Sequence, residues 1–118
     1  MNQDDFNGFC SSLPATSHVV QWGGFDVWKV RDKVFDIGSW NSIKVSGITF
    51  KTSKSDYEML REMPGFRPAP YLASRGMKLI QRYEDLGSNH DELRYYIAES
   101  HRLVVAGFSH KKRTELGL

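Results

Sequence analysis

The stretch NHDELRYYIAESHRLVVAGF, residues 89–108, decides the fold because it has the pattern of one long amphipathic helix. Apolar or small side chains recur along it at steps of three and four, and 3.6 residues per turn place them on one face. These recurring residues are Leu93, Tyr96, Ile97, Ser100, Val104 and Phe108. Asn89 and Glu92 have the spacing of a capping box at its start. The stripe predicts a helix that covers a flat surface, such as a sheet.

Short segments upstream have the alternation and the Val and aromatic content of β-strands. We predict strands at Ser17–Trp22, Phe25–Val30, Lys33–Ile37, Gly47–Thr52, Phe66–Leu72 and Met77–Tyr83. Gly23-Gly24 predicts a tight hairpin between the first two. The prolines around Phe66–Leu72 predict an edge strand or an extended segment. Residues 38–46 are less regular and are predicted to be loops.

A second reversal is predicted at Arg31-Asp32, between Val30 and Lys33. Arginine is unusual in a type I′ turn because a positive φ is costly for a residue with a Cβ. A type I turn with a bulge would ease that conformation.

Two shorter helices complete the predicted fold. One spans residues 3–13 and is closed by Pro14, and the other runs from the capping residue Ser53 to Pro64-Gly65. We predict an α+β fold, a two-layer sandwich of an antiparallel sheet with helices on one face. The order is α-β-β-β-α-β-β-α, with Lys33–Ile37 taken as a continuation of the sheet. A length of 118 residues predicts a single domain over 1–118.

Composition places the chain among ordinary globular proteins, with 40% hydrophobic and 25% charged residues. The single cysteine, Cys10, cannot form an internal disulfide and gives no sign of an oxidising compartment. No apolar run approaches the ~20 residues that span a bilayer, and the polar N-terminus is unlike a signal peptide. We therefore expect a cytoplasmic monomer with no membrane partner.

The chemistry-bearing residues form no catalytic or metal-binding pattern. The four histidines are scattered, and one cysteine cannot supply a zinc site. Ser100 and His101 are adjacent on a helix, so their side chains diverge and cannot form a nucleophile–base pair. Gly23-Gly24 lacks the following Lys-Ser/Thr of a phosphate-binding loop. We expect no enzyme activity, no cofactor and no metal, and a buried, inert Cys10.

Basic charge is concentrated on the predicted hairpins and the tail, although the net charge is only +2. The candidate nucleic-acid contacts are Lys29, Arg31, Lys33, Arg75, Lys78, Arg82, Lys111, Lys112 and Arg113. Two basic hairpins rising from a sheet could track a sugar–phosphate backbone. The competing interpretation is a solvated surface whose cations keep edge strands from pairing, followed by a soluble tail. Among the tryptophans, Trp22 and Trp28 are read as core residues, and Trp40 as the candidate stacking platform.

Several segments together resemble the MmcQ/YjbR-like family over nearly the whole chain. They are Leu13–Thr16, Trp22–Gly24, Val27–Val30, Lys33–Phe35, Ile48–Lys51, Leu60–Glu62, Arg67–Lys78 and Glu99–Val104. The resemblance implies a two-layer α+β fold similar to the CyaY-like and secretion-chaperone-like group.

The resemblance also implies DNA binding by a double wing, whose tips would be the hairpins around Arg31-Asp32 and Ser74–Lys78. This chain differs from the family at Arg31-Asp32, often Gly-Gly, and at Leu79, often aromatic. Asp4 and Asp5 alone do not form the acidic ridge of frataxin-like iron binding. The alternative function is a protein-interaction module, suggested by the segment Pro68–Leu72 and the chaperone-like fold.

Overall fold

The computed structural model describes residues 1–40, 46–70, 78–85 and 90–118. Helix α1 (Gln3–Ser12) is followed by strands β1 (Thr16–Gln21), β2 (Phe25–Val30), β3 (Lys33–Ser39) and β4 (Gly47–Lys51). Helix α2 (Lys54–Leu60), strands β5 (Phe66–Pro68) and β6 (Leu79–Arg82), and helices α3 (His90–Ala106) and α4 (His110–Glu115) complete the order. The six strands form one antiparallel sheet in the order β1-β2-β3-β4-β6-β5.

The predicted α+β class, with helices on one face of an antiparallel sheet, is confirmed. Register places one row of residues across all six strands on the side of the helices: His18, Trp28, Asp36, Phe50, Ile80 and Pro68. Side chains of α1, α2 and α3 pack against this helix-facing row, and the core includes Phe6, Leu60 and Ile97. The neighbouring row lies on the opposite, outer face and consists of Val19, Val27, Ile37, Thr49, Gln81 and Arg67.

Capping explains where two of the predicted helices begin. Ser53 accepts a hydrogen bond from the backbone N–H of Asp56 at the start of α2, as predicted. At α1, Asn2 accepts from the N–H of Asp5, whose carboxylate accepts from the Asn2 N–H in return. Asp5 is therefore part of a capping box, which was not predicted.

The first hairpin differs from the predicted one because Trp22 lies in the turn rather than in a strand. Gln21 pairs with Phe25, so three residues make the loop, and Trp22, Gly23 and Gly24 all have positive φ. The register therefore ends one residue earlier than predicted, and Trp22 is 63% exposed instead of buried. Its assignment to the core was wrong.

Strand β3 continues through Gly38 and Ser39, which were predicted to be loop. Glycine is the residue that fits at position 38, because a Cβ there would come within 2.5 Å of the Trp40 ring and 2.8 Å of the Phe6 ring. A side chain is excluded by packing, so the glycine is a strand residue in a crowded place. The predicted loop residues 41–45 lie outside the described residues.

The basic tail forms a fourth helix, which was not predicted. Ser109 caps α4 by accepting from the N–H of Lys112, and Leu116 packs against the core. The Lys112 ammonium lies 5.1 Å from the ring centroid of Phe108. A cap and these contacts outweigh the polar composition that suggested a soluble tail.

Candidate functional site

The site lies where strands β3 and β4 separate, and we call this separation the fork. β3 and β4 pair only as far as Asp36 and Phe50, although β3 begins at Lys33. A β-bulge in β3 accompanies the separation, because Trp28 pairs with Asp36 and Lys29 pairs with Val34, leaving Phe35 as the extra residue. Bulges bend the strand that carries them and disrupt the local ladder.

The hydroxyl of Ser100, on α3, forms hydrogen bonds to both strands of the fork, β3 and β4. It donates a short hydrogen bond to the carbonyl of Phe35 on β3. It also accepts a 2.8 Å hydrogen bond from the N–H of Lys51 on β4. Ser100 is fully buried. The helix thereby satisfies two backbone groups that a continuous β3–β4 ladder would have paired.

A groove of about 610 Å³ opens at this fork. It runs along the outer face past Ile37 and Thr49 and reaches Val104, in the last turn of α3, and Phe108, just beyond that helix. Its residues are Trp22, Lys33, Val34, Phe35, Asp36, Ile37, Thr49, Lys51, Thr52, Lys78, Leu79, Val104, Gly107 and Phe108. We call it the fork groove. Its volume is within the range of about 300–1,000 Å³ that is typical of ligand sites.

Three lysines from separate parts of the chain line the fork groove: Lys33 of β3, Lys51 of β4 and Lys78 before β6. All three are exposed. None forms a salt bridge with a carboxylate in the described part of the chain. The Lys78 ammonium lies 5.0 Å from the ring centroid of Tyr57, within the range of a cation–π contact. Lys33 and Lys78 were predicted contacts, whereas Lys51 was not.

The other predicted cations have different surroundings. Arg31 is 3.0 Å from Glu115, so the tip of the β2–β3 hairpin is joined to α4. Arg82 is 7% exposed and is 3.7 Å from Asp85. Lys29 is half-buried on β2 and lies outside the groove lining. Arg75 lies outside the described residues.

The three cations of α4 lie on one short helix. Lys111 is exposed, and Arg113 is half-buried. Lys112 is outside the groove lining, although its ammonium contacts the ring of Phe108, which is part of that lining. The structure thus brings two of the predicted cations, Lys33 and Lys78, into the groove lining and leaves Arg82 out of it.

The fork groove contains one acidic residue, Asp36, whose side chain has no exposed surface. Burial raises the pKa of this carboxyl well above its ordinary value of 3.8, and the Ile37 amide only partly opposes the shift. Neither carboxylate oxygen has a hydrogen-bond partner of normal geometry. Buried charge without a partner is costly, so this environment favours the protonated form.

A polar cluster surrounds Asp26, and both of its carboxylate oxygens have hydrogen-bond partners. Its carboxylate accepts from Gln3 Nε2 at 2.8 Å and Trp40 Nε1 at 2.7 Å, and lies 2.7 Å from His18 Nε2. Burial alone would raise the pKa of Asp26, but these hydrogen bonds together lower it. Trp40 is held by this bond and is half-buried, so the tryptophan free to stack is Trp22 and not Trp40.

The remaining chemistry-bearing side chains have structural contacts. Cys10 is buried, as predicted, and burial raises the pKa of its thiol. His101 lies 2.8 Å from the Pro14 carbonyl, and Trp28 donates to Asn7 within the core, as its predicted core role requires. Within the described ranges, no group of three or more His, Cys, Asp or Glu residues could hold a metal ion. No helix in those ranges is long and apolar enough to cross a membrane.

The fold and groove define a class of small α+β domain, with an antiparallel six-stranded sheet, helices on one face and a lysine-lined fork. The family model described as YjbR matches residues 11–103, and the chain belongs to this family, which confirms the resemblance seen in the sequence. A crystal structure of the Deinococcus radiodurans protein DR2400, with a DUF419 domain, is similar in fold. Its TM-score is 0.82 at 22% identity, covering 98% of this chain and 87% of that one. No curated protein matches the sequence.

Proposed function

We propose that this protein binds nucleic acid, and DNA in particular, through the fork groove and mainly by contacts to the sugar–phosphate backbone. The observation that carries the proposal is that Lys33, Lys51 and Lys78 line one groove and are not neutralised by carboxylates of the described residues. Ammonium groups that neutralise phosphates release counterions and supply sequence-independent affinity.

One of the two predicted wings forms a side of the groove. That side is the start of β3, which belongs to the hairpin with Arg31 at its tip, and the opposite side is the start of β6. Residues 74–77, at the predicted tip of the second wing, lie outside the described residues. A polyanion in the groove would therefore lie between the β2–β3 hairpin and the start of β6. The proposed contacts are Lys33, Lys51 and Lys78, with Lys112 beside them on Phe108.

The test is a fluorescence anisotropy titration of labelled DNA, single-stranded and duplex, at several salt concentrations. We expect binding at low salt that weakens as salt rises. Lys33→Glu and Lys51→Glu should each reduce the salt slope by about 0.7 to 0.9 log units, since each lysine neutralises one phosphate. Lys54→Glu is the matched control, because Lys54 is exposed and lies outside the groove lining.

Two results would overturn this function. One is that neither form of DNA binds at low salt. The other is that Lys54→Glu weakens binding as much as the groove variants do, since the affinity would then reflect overall charge.

The alternative function, a protein-interaction module, has support at a different place. β1 is an edge strand of six residues, Thr16–Gln21, and contains neither lysine nor proline. Such an edge can accept a strand from a partner. The segment that first suggested this function contains Ala69, which is buried and donates to the Leu79 carbonyl. A partner that binds equally well to the groove variants would favour this alternative.

A further inference from the structure

We infer that the fork groove selects unpaired nucleotides, with a base on Trp22 in the apolar groove and the adjoining phosphates on the lysines. This inference rests on the proposed function and narrows it to single-stranded nucleic acid. It is carried by the shape of the groove, by the exposed aromatic ring at its wall and by the arrangement of charge around it.

The shape of the groove suits a flat, drug-sized group. Its lining is mostly apolar and includes Val34, Ile37, Leu79 and Val104. A nucleobase is flat and has two apolar faces, so it can fill such a space. A duplex buries those faces within its own stack and presents only base edges and backbone. Entry of a base into the fork groove therefore requires an unpaired strand.

Trp22 supplies the stacking surface. It lies in the β1–β2 turn with φ +52°, lines the groove, and is 63% exposed. The Phe25 ring packs against it in an edge-to-face contact, with centroids 6.0 Å apart. This contact orients the indole while leaving most of its surface accessible. Aromatic side chains beside a cationic groove are the usual basis of sequence-tolerant single-strand binding.

The lysines surround the apolar lining rather than forming a separate patch. Lys51 extends from the outer face, Lys33 begins β3 on one side of the fork, and Lys78 directly precedes β6. The one acidic residue of the lining, Asp36, has no exposed surface. A phosphate on either side of a bound base would thus meet ammonium groups and no exposed carboxylate of the lining.

The experiment compares an oligothymidine of about 12 nucleotides with a duplex of equal length, for the wild type, Trp22→Ala and Trp22→Phe. We expect tighter binding of the single strand. We expect Trp22→Ala to weaken it about tenfold, because a stacking surface is lost, with little effect on the duplex. Trp22→Phe keeps an aromatic ring at the same position and should retain most of the affinity.

Tryptophan fluorescence gives a second readout that does not depend on the alanine variant. Stacking of a base on Trp22 should quench the emission of the wild type, and Trp22→Phe should lose that quenching while it still binds. Trp28 and Trp40, which donate their Nε1–H groups to Asn7 and Asp26, provide the constant background.

The outcomes separate the two proposals. Equal affinity for duplex and single strand, or quenching that persists in Trp22→Phe, would overturn this inference and leave DNA binding intact. Absence of binding by either form would overturn both. A single-strand preference that depends on Trp22 and on Lys33 or Lys51 would support both.

Discussion

Arg31 has a backbone conformation that few residues with a Cβ adopt. Its φ is +59°, and Asp32 beside it does not have a positive φ. A type I′ turn needs positive φ at both central residues, so this two-residue loop is of another type. The expected type I turn with a bulge is also wrong, because a type I turn needs a negative φ at Arg31, and the bulge lies within β3 at Phe35. The left-handed backbone conformation of Arg31 therefore costs conformational free energy. The side chain of the same residue forms the contact with Glu115.

The cost can be measured by comparing Arg31→Gly with Arg31→Ala. Both variants lose the contact with Glu115, so their difference reports the backbone alone. We expect the glycine variant to be more stable by about 1 kcal/mol in urea unfolding, because glycine adopts positive φ without strain. The same pair at Asp32 is the control, where alanine should be at least as stable as glycine. Equal stability of the two Arg31 variants would contradict the prediction.

Asp36 and Asp26 should affect stability in opposite directions as pH changes. The pKa of Asp36 is higher in the folded state than in the unfolded chain. Above pH 3.8 the folded protein therefore keeps a proton on Asp36 that the unfolded chain has released. Stability from Asp36 is therefore fully present below pH 3.8 and declines as pH rises toward the folded pKa. The lowered pKa of Asp26 has the opposite effect, and its contribution is lost as pH falls through the folded value.

Asp36→Asn should remove the decline above pH 3.8, which has a limiting slope of about 1.4 kcal/mol per pH unit. Asp26→Asn should instead remove the loss of stability in acid. Chemical denaturation at a series of pH values measures both effects. A wild type and an Asp36→Asn variant with parallel stability curves would contradict the assignment.

Among the elements, the fork between β3 and β4 depends on a side chain from α3. Ser100→Ala should destabilise the protein by about 1–3 kcal/mol, because the Phe35 carbonyl and the Lys51 amide lose their buried partner. Amide exchange at Lys51 should accelerate as well. Ser12→Ala is the control, since Ser12 is exposed and bonds only within α1. A stability loss no larger than that of Ser12→Ala would contradict this role.

At the scale of the whole molecule, most of the fold could be predicted because its information is local. The 3.6-residue period of α3, the cap at Ser53, and the glycines at 23 and 24 each indicate an element. The cap predicted at Asn89 lies outside the described residues. Alternation then indicates which strand residues meet the helices, as Phe50 and Ile80 do. The errors lie at the ends of strands, where pairing rather than pattern decides; β5, for example, ends at Pro68 and not at Leu72.

The candidate site could not be predicted to the same extent, because it arises from pairing between distant segments. Nothing near Phe35 indicates a bulge, so the separation of β3 from β4 has no local signal. Unless the fork is known, nothing in the sequence distinguishes Lys51 from the other lysines of the predicted strands. Trp22 was assigned to the core because a three-residue loop and a two-residue loop look alike around Gly23-Gly24. Only the register distinguishes them.

The hydroxyl of Ser100 has a consequence for how such a domain can diverge. One hydroxyl takes the place of the next ladder hydrogen bond between β3 and β4, and the fork groove opens beside it. A descendant that lost the hydroxyl would regain stability most directly by extending the pairing of β3 with β4 beyond Asp36 and Phe50. It would keep its architecture and lose its cleft, so relatives of equal shape could differ in whether they bind anything there at all.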